Sequence, residues 1–149
     1  MGRSKTTVSH RFIFLFLLTT ARCVAGPDSI VTFNEVHYHP PTETEPEWIE
    51  LHNQMAVRVD LGAWEIKGGI EFTFPEGTIL EPGAFVVVSS LLGTPAGALG
   101  PFTGKLNNAG EEVRLHERHG RMMDSLRYEY GGKWPTVPDG EGYSPRAYT

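Results

Sequence analysis

The sequence predicts a small all-β sandwich, and three observations carry that reading. Between Glu47 and Ser90, short runs rich in β-branched and aromatic residues alternate apolar with polar side chains. Gly, Pro and Asn interrupt those runs at intervals of about eight to twelve residues, the turn spacing of such a sandwich. No stretch after Gly26 keeps a helical period of useful length.

Residues 29–39 (SIVTFNEVHYH) read as a first strand. Val31 and Phe33 share one face, whereas Val36 and Tyr38 fall on the opposite parity. One extra residue near Asn34-Glu35, a β-bulge, returns both pairs to the core. Pro40-Pro41 ends the strand, and TETEPE follows as an acidic loop. Trp48–Asn53 is the second strand, with Ile49 and Leu51 inward and Glu50 and His52 outward.

Val57, Val59 and Leu61 alternate next; the frame shifts around Gly62, and Trp64 and Ile66 continue the inward face. Gly68-Gly69 predicts a hairpin into Ile70, Phe72 and Phe74. Two turns, Pro75-Glu76-Gly77 and Glu81-Pro82-Gly83, bracket a short strand at 78–80. The unbroken apolar run 85–88 predicts a central strand covered on both sides. Residues 91–101 (LLGTPAGALGP) form a small-residue loop suited to contacts. Strands at 102–106, 112–117 and 122–130 complete the set, joined by turns at 107–110 and 118–120. The expected core comprises Phe33, Ile49, Leu51, Trp64, Ile66, Phe72, Phe74, Val86, Val88, Val113 and Leu115.

The N-terminus reads as a leader. Arg3, Lys5, His10 and Arg11 precede an apolar run, Phe12–Leu18, and Cys23-Val24-Ala25 fits cleavage before Gly26. Seven apolar residues fall far short of the ~20 needed to span a bilayer. Cleavage would remove the single cysteine and four bases, leaving nine bases against eighteen acids, a net charge of −9. The expected destination is outside the cell or on its envelope. A chain with no thiol excludes zinc-thiolate sites and cysteine nucleophiles, and its acidity disfavours nucleic acid as a partner.

The chain resembles the lamin-tail domain. The resemblance rests on Phe33-Asn34-Glu35-Val36, on 47–53 (EWIELHN), on 61–66 (LGAWEI) and on Phe72-Thr73-Phe74-Pro75. It continues through Leu80-Glu81-Pro82-Gly83, 107–113 (NNAGEEV) and 124–128 (DSLRY). Those motifs run in the family's order over about residues 29–130. The leader, the Tyr38-His39-Pro40-Pro41 segment and Trp134-Pro135 make the chain more similar to the secreted bacterial branch. The resemblance implies an immunoglobulin-like β-sandwich over 26–131, flanked by the 1–25 leader and a Pro/Gly-rich tail at 132–149. It also implies a protein-interaction or surface-attachment module with no catalytic residues and no cofactor. Such domains accompany exported hydrolases, nucleases or kinase-like proteins. A related protein would run on past Ser144, so the front end of a longer exported enzyme is the second reading.

Motifs for nucleophilic, phosphate or metalloprotease chemistry do not occur. His37 and His39 come nearest to metal ligands, with Glu35 on the same parity and His52 as a possible third donor. Glu43, Glu45 and Glu47, with Glu50, are the nearest to a calcium set, but lack the spacing of a calcium loop. No metal is therefore assigned. Trp48 or Trp134 would be the platform of a glycan-binding module. Arg114, His116 and Arg118 share a strand parity and offer a basic strip to an acidic partner. A solvated face paired with neighbouring acids is the simpler account of them.

Overall fold

The computed structural model describes residues 30–42 and 44–129. The expected leader and cleavage site, Glu43, and the segment containing Trp134 and Tyr143 lie outside those residues. Ten strands follow one another among the described residues. They are β1 (Val31–His37), β2 (Trp48–Asn53), β3 (Val59–Asp60), β4 (Glu65–Lys67) and β5 (Ile70–Thr73), then β6 (Ile79–Leu80), β7 (Phe85–Ser89), β8 (Thr103–Gly104), β9 (Gly110–His116) and β10 (Met122–Glu129). A three-stranded sheet ordered β1-β2-β7 packs on a five-stranded sheet ordered β10-β9-β4-β5-β8, with β3-β6 as a separate ribbon. All strand pairings are antiparallel. No helix among the described residues is long and apolar enough to cross a membrane.

The bulge expected in β1 is present. Phe33 pairs with Leu51 and Glu35 with Glu50, so Asn34 is the extra residue. Val31, Phe33, Val36 and Tyr38 are consequently all buried. A second irregularity lies between Met122 and Asp124 in β10. The two irregular segments meet: the Phe33 amide donates to Asp124 Oδ2 at 2.8 Å. Farther along, Tyr38 stacks on Tyr128 with ring centroids 4.7 Å apart. These contacts tie the edge of one sheet to the edge of the other. Burial of aromatic and aliphatic side chains from both sheets supplies the driving force, about 1.5–3 kcal/mol for each large side chain.

Phe33, Ile49, Leu51, Trp64, Ile66, Phe74, Val88, Val113 and Leu115 are buried as expected. Phe72 and Val86 are only partly buried and pack against the core from its margin. Each has a positional reason. Phe72 lies beyond the two residues at which β8 pairs with β5, and Val86 lies on β7. That strand is an edge, not the central strand its apolar run predicts. Its free side is covered by the loop instead: the Ser89 amide donates to the Leu99 carbonyl and the Leu99 amide to the Val87 carbonyl. This loop cover is one way of blunting an edge. Phe85, at the start of the strand, remains 51% exposed.

Val57 also departs from expectation, being 59% exposed rather than inward. The cause is Asn53, whose side chain is wholly buried at the end of β2. Its Nδ2 donates to the carbonyls of Val57 (2.8 Å), Leu80 (3.0 Å) and Glu81 (3.0 Å). Its Oδ1 accepts from the Met55 amide at 2.9 Å. Holding the Val57 carbonyl inward leaves that side chain in solvent. One amide thus fastens three chain segments at one point.

Replacing Asn53 with Ala should cost about 3 kcal/mol or more, because several buried backbone groups lose their partner together. Urea unfolding would read this as a lower midpoint with an unchanged slope. Asn53→Asp, which lacks the donor, should be destabilised as well.

Candidate functional site

The β1–β2 connection, the start of the 90–101 loop and residues 104–108 converge at one end of the sandwich. Between them lies an open cleft of about 620 Å³, bordered by His39, Pro40, Thr42, Glu45, Ser90, Lys105 and Asn108, with Glu47 also in its lining. Glu47 is buried, and it is engaged on every side. Its Oε2 accepts from the Leu106 amide at 2.9 Å, and its own amide donates to Ser90 Oγ at 3.1 Å. Its carbonyl accepts from the Ser90 amide and from Ser89 Oγ. Burial pushes its carboxyl above the ordinary range, and the Leu106 hydrogen bond offsets part of that. Nearby, Tyr128 donates its hydroxyl to Glu111 Oε1 at 2.8 Å, the oxygen that also accepts from the Asn107 amide. These two carboxylates, Glu47 buried and Glu111 partly exposed, fasten the 104–110 segment to the sandwich.

Beside the cleft, the 90–101 loop is held by its own backbone. Thr94 donates to Leu91, Gly93 to Ala98 and Ala98 to Pro95, each amide to carbonyl. Its tip presents Leu91 and Leu92 at 52% and 64% exposure. Two large apolar side chains on an ordered tip are unusual for solvated surface.

The family model of the Lamin Tail Domain matches residues 26–130 of this sequence. The chain belongs to the lamin tail domain family. No curated protein matches it. The family fold is immunoglobulin-like and non-enzymatic, in keeping with the all-β architecture. In this lamin tail domain the motif residues have structural work. Trp64 is buried in the core between the sheets. Gly110 has φ +103°, and an added Cβ would stand 2.6 Å from the Tyr128 carbonyl. Asp60 Oδ1 accepts from the Gly62 amide at 2.8 Å. Glu47, offered by the sequence as part of a calcium set, and the motif residues Glu111 and Asp124 each accept from a backbone amide.

The metal candidates are brought together only in part, His39, Glu45 and Glu47 lining one cleft. His37 lies under Trp48, the rings stacked at 5.3 Å, while His39 borders the cleft. His52 stacks on Phe85 at 4.3 Å. Glu43 is outside the described residues, Glu45 lies at the cleft and Glu50 accepts from Asn34. Among the described residues, no three His, Cys, Asp or Glu side chains are placed to hold a metal ion. Trp48 is partly exposed on the outer face of the three-stranded sheet, and Trp134 is not described.

The basic strip is neutralised where it stands. Arg114 pairs with Glu112, and Arg118, in the β9–β10 turn, reaches Asp60 Oδ2 at 3.2 Å. Arg127 pairs with Glu129 and Lys67 with Glu65. Exposed pairs of this kind add little stability, but they leave little uncompensated positive charge. His116 Nδ1 is buried and has no hydrogen-bond partner among the described residues.

His37 supplies a pH test. Burial lowers its pKa below the ordinary imidazole range, against the opposing pull of Glu45 and Glu35. The native chain therefore binds fewer protons here than the unfolded chain. Its stability contribution is present above the ordinary imidazole pKa and is lost as pH falls through the folded value. Urea midpoints measured from roughly pH 7.5 down to 5.5 should fall, and His37→Phe should flatten that slope. Burial raises the carboxyl groups of Glu47 and Asp124. They contribute with the opposite sign: their stability is present at acid pH and lost as pH rises through their folded pKa values. The difference between wild type and His37→Phe isolates the imidazole.

Proposed function

We propose that this lamin tail domain is an exported, non-catalytic protein-interaction module that binds through the loop end of the sandwich. The observation that carries the reading is the pair Leu91 and Leu92, exposed on a loop whose own hydrogen bonds hold it in shape. An ordered tip loses little conformational freedom on binding, and two leucines provide an apolar anchor. The neighbouring cleft supplies the polar margin through His39, Glu45, Lys105 and Asn108. Export is supported by the basic start and the apolar run Phe12–Leu18. A bacterial source is supported by the sequence resemblance alone. Loops on a rigid sandwich are a common place for recognition.

A photo-crosslinking residue at position 92, in the cells that make the protein, should yield a defined protein adduct. The same residue at Thr73, on the five-stranded sheet, should yield none. Leu91→Ser with Leu92→Ser should leave the unfolding midpoint within about 0.5 kcal/mol of wild type, as expected of exposed positions. That variant, probed from position 90, should lose the adduct. An undiminished adduct would refute the assignment of this loop.

A further inference from the structure

We infer that the outer face of the β1-β2-β7 sheet is a second docking surface, built for a partner segment rich in arginine or lysine. Register places Thr32, His52 and Phe85 in one row across this face, Glu35, Glu50 and Val87 in the next, and His37, Trp48 and Ser89 in the third. Phe85 stacks on His52 with planes 10° apart, and Trp48 on His37 with planes 17° apart. The imidazoles brace the two larger rings in fixed orientations. Phe85 is half exposed, and Trp48, Glu50, His52 and Val87 are partly so, whereas Thr32, His37 and Ser89 in the same rows are buried and leave the accessible surface along β2 and β7. Between the rings sits the Glu50 carboxylate, positioned by the Asn34 side chain at 2.7 Å.

The charge of this face decides what fits. No Lys or Arg occurs in β1, β2 or β7, whereas Glu35 and Glu50 both do. Every strand lysine or arginine lies on the other sheet: Lys67 in β4, Arg114 in β9 and Arg127 in β10. Aromatic rings attract cations through their quadrupole, and a carboxylate between two rings adds Coulombic attraction. A guanidinium, planar and weakly hydrated, can lie on a ring while pairing with the carboxylate. An acidic chain, −5 overall, steers such a partner toward itself. The same charge disfavours a second copy of this face as the occupant. This surface is distinct from the leucine-tipped loop, so the two assignments stand or fall separately.

The test is titration of the isotope-labelled full chain with capped hexa-arginine at low ionic strength, followed by amide chemical shifts. Shifts should concentrate at Trp48, Glu50, His52, Phe85 and Val87, and hexa-glutamate should produce none. Phe85→Ser combined with Glu50→Gln should weaken binding about tenfold, the loss of one ring and one charge. Glu50→Gln alone should weaken it less, and it carries the test should the Phe85 variant unfold. Several results would overturn the inference. Shifts confined to Glu45 and Asn108 at the cleft, or equal binding by the double variant, would do so. Concentration-dependent shifts at Trp48 and Phe85 without peptide would give the face to a second copy. Overhauser contacts from Phe85 to residues 130–149 would give it to the chain's own end.

Discussion

One inserted residue, Asn34, governs both surfaces of the three-stranded sheet. A regular strand that paired Asn34 like its neighbours could not send Val31, Phe33, Val36 and Tyr38 to the same side, because side chains alternate with a period of two. With the bulge, all four enter the core. The same insertion sends Glu35 and His37 outward, opposite Glu50 and Trp48 of β2. Core and outer face are thus fixed by one irregularity. The Asp124 carboxylate marks where that irregularity meets β10, joining the two sheets along an edge through the Phe33 amide.

Around this edge a few polar groups, Asn53 and Glu47 buried and Glu111 partly so, fasten the loops. Asn53 gathers the β2 end, the 54–57 loop and the β6–β7 turn, while Glu47 and Glu111 hold the 104–110 segment. Such groups are costly to leave unpaired, so they favour one arrangement of loops over its neighbours. The result is a frame whose two sheets differ in charge. The five-stranded sheet carries balanced ion pairs, and the three-stranded sheet carries aromatic rings, imidazoles and acids, with no Lys or Arg in its strands. The recognition we propose for this lamin tail domain rests on that asymmetry and on the ordered loop at the sandwich's end.

Much of the frame was legible before any coordinates. The bulge followed from two apolar pairs on opposite parities, β2 from a clean alternation, and the hairpin from Gly68-Gly69. The departures share a cause, in that each depends on what another segment does. The run 85–88 looks central because nothing local says that a loop, not a strand, will cover its edge. Val57 obeys the alternation of its neighbours, but Asn53 takes its carbonyl. Glu47 and Asp124 are acids in an acidic chain, and only the fold shows that amides await them. The stacking of His37 on Trp48 depends on inter-strand register, which the two segments alone do not specify.

The most direct measurement compares two deletions in β1: Asn34 alone, and Asn34 together with Glu35. The first removes the extra residue and a hydrogen bond to Glu50 but keeps both apolar pairs on one parity, so it should cost about 1 kcal/mol and leave a cooperative transition. The second puts Val36 directly after Phe33 and forces one apolar pair of β1 to the solvent face. It should cost about 3–6 kcal/mol, the burial of two such side chains, and abolish cooperative unfolding of the chain. A double-deletion variant that unfolds cooperatively near the wild-type midpoint would contradict the account.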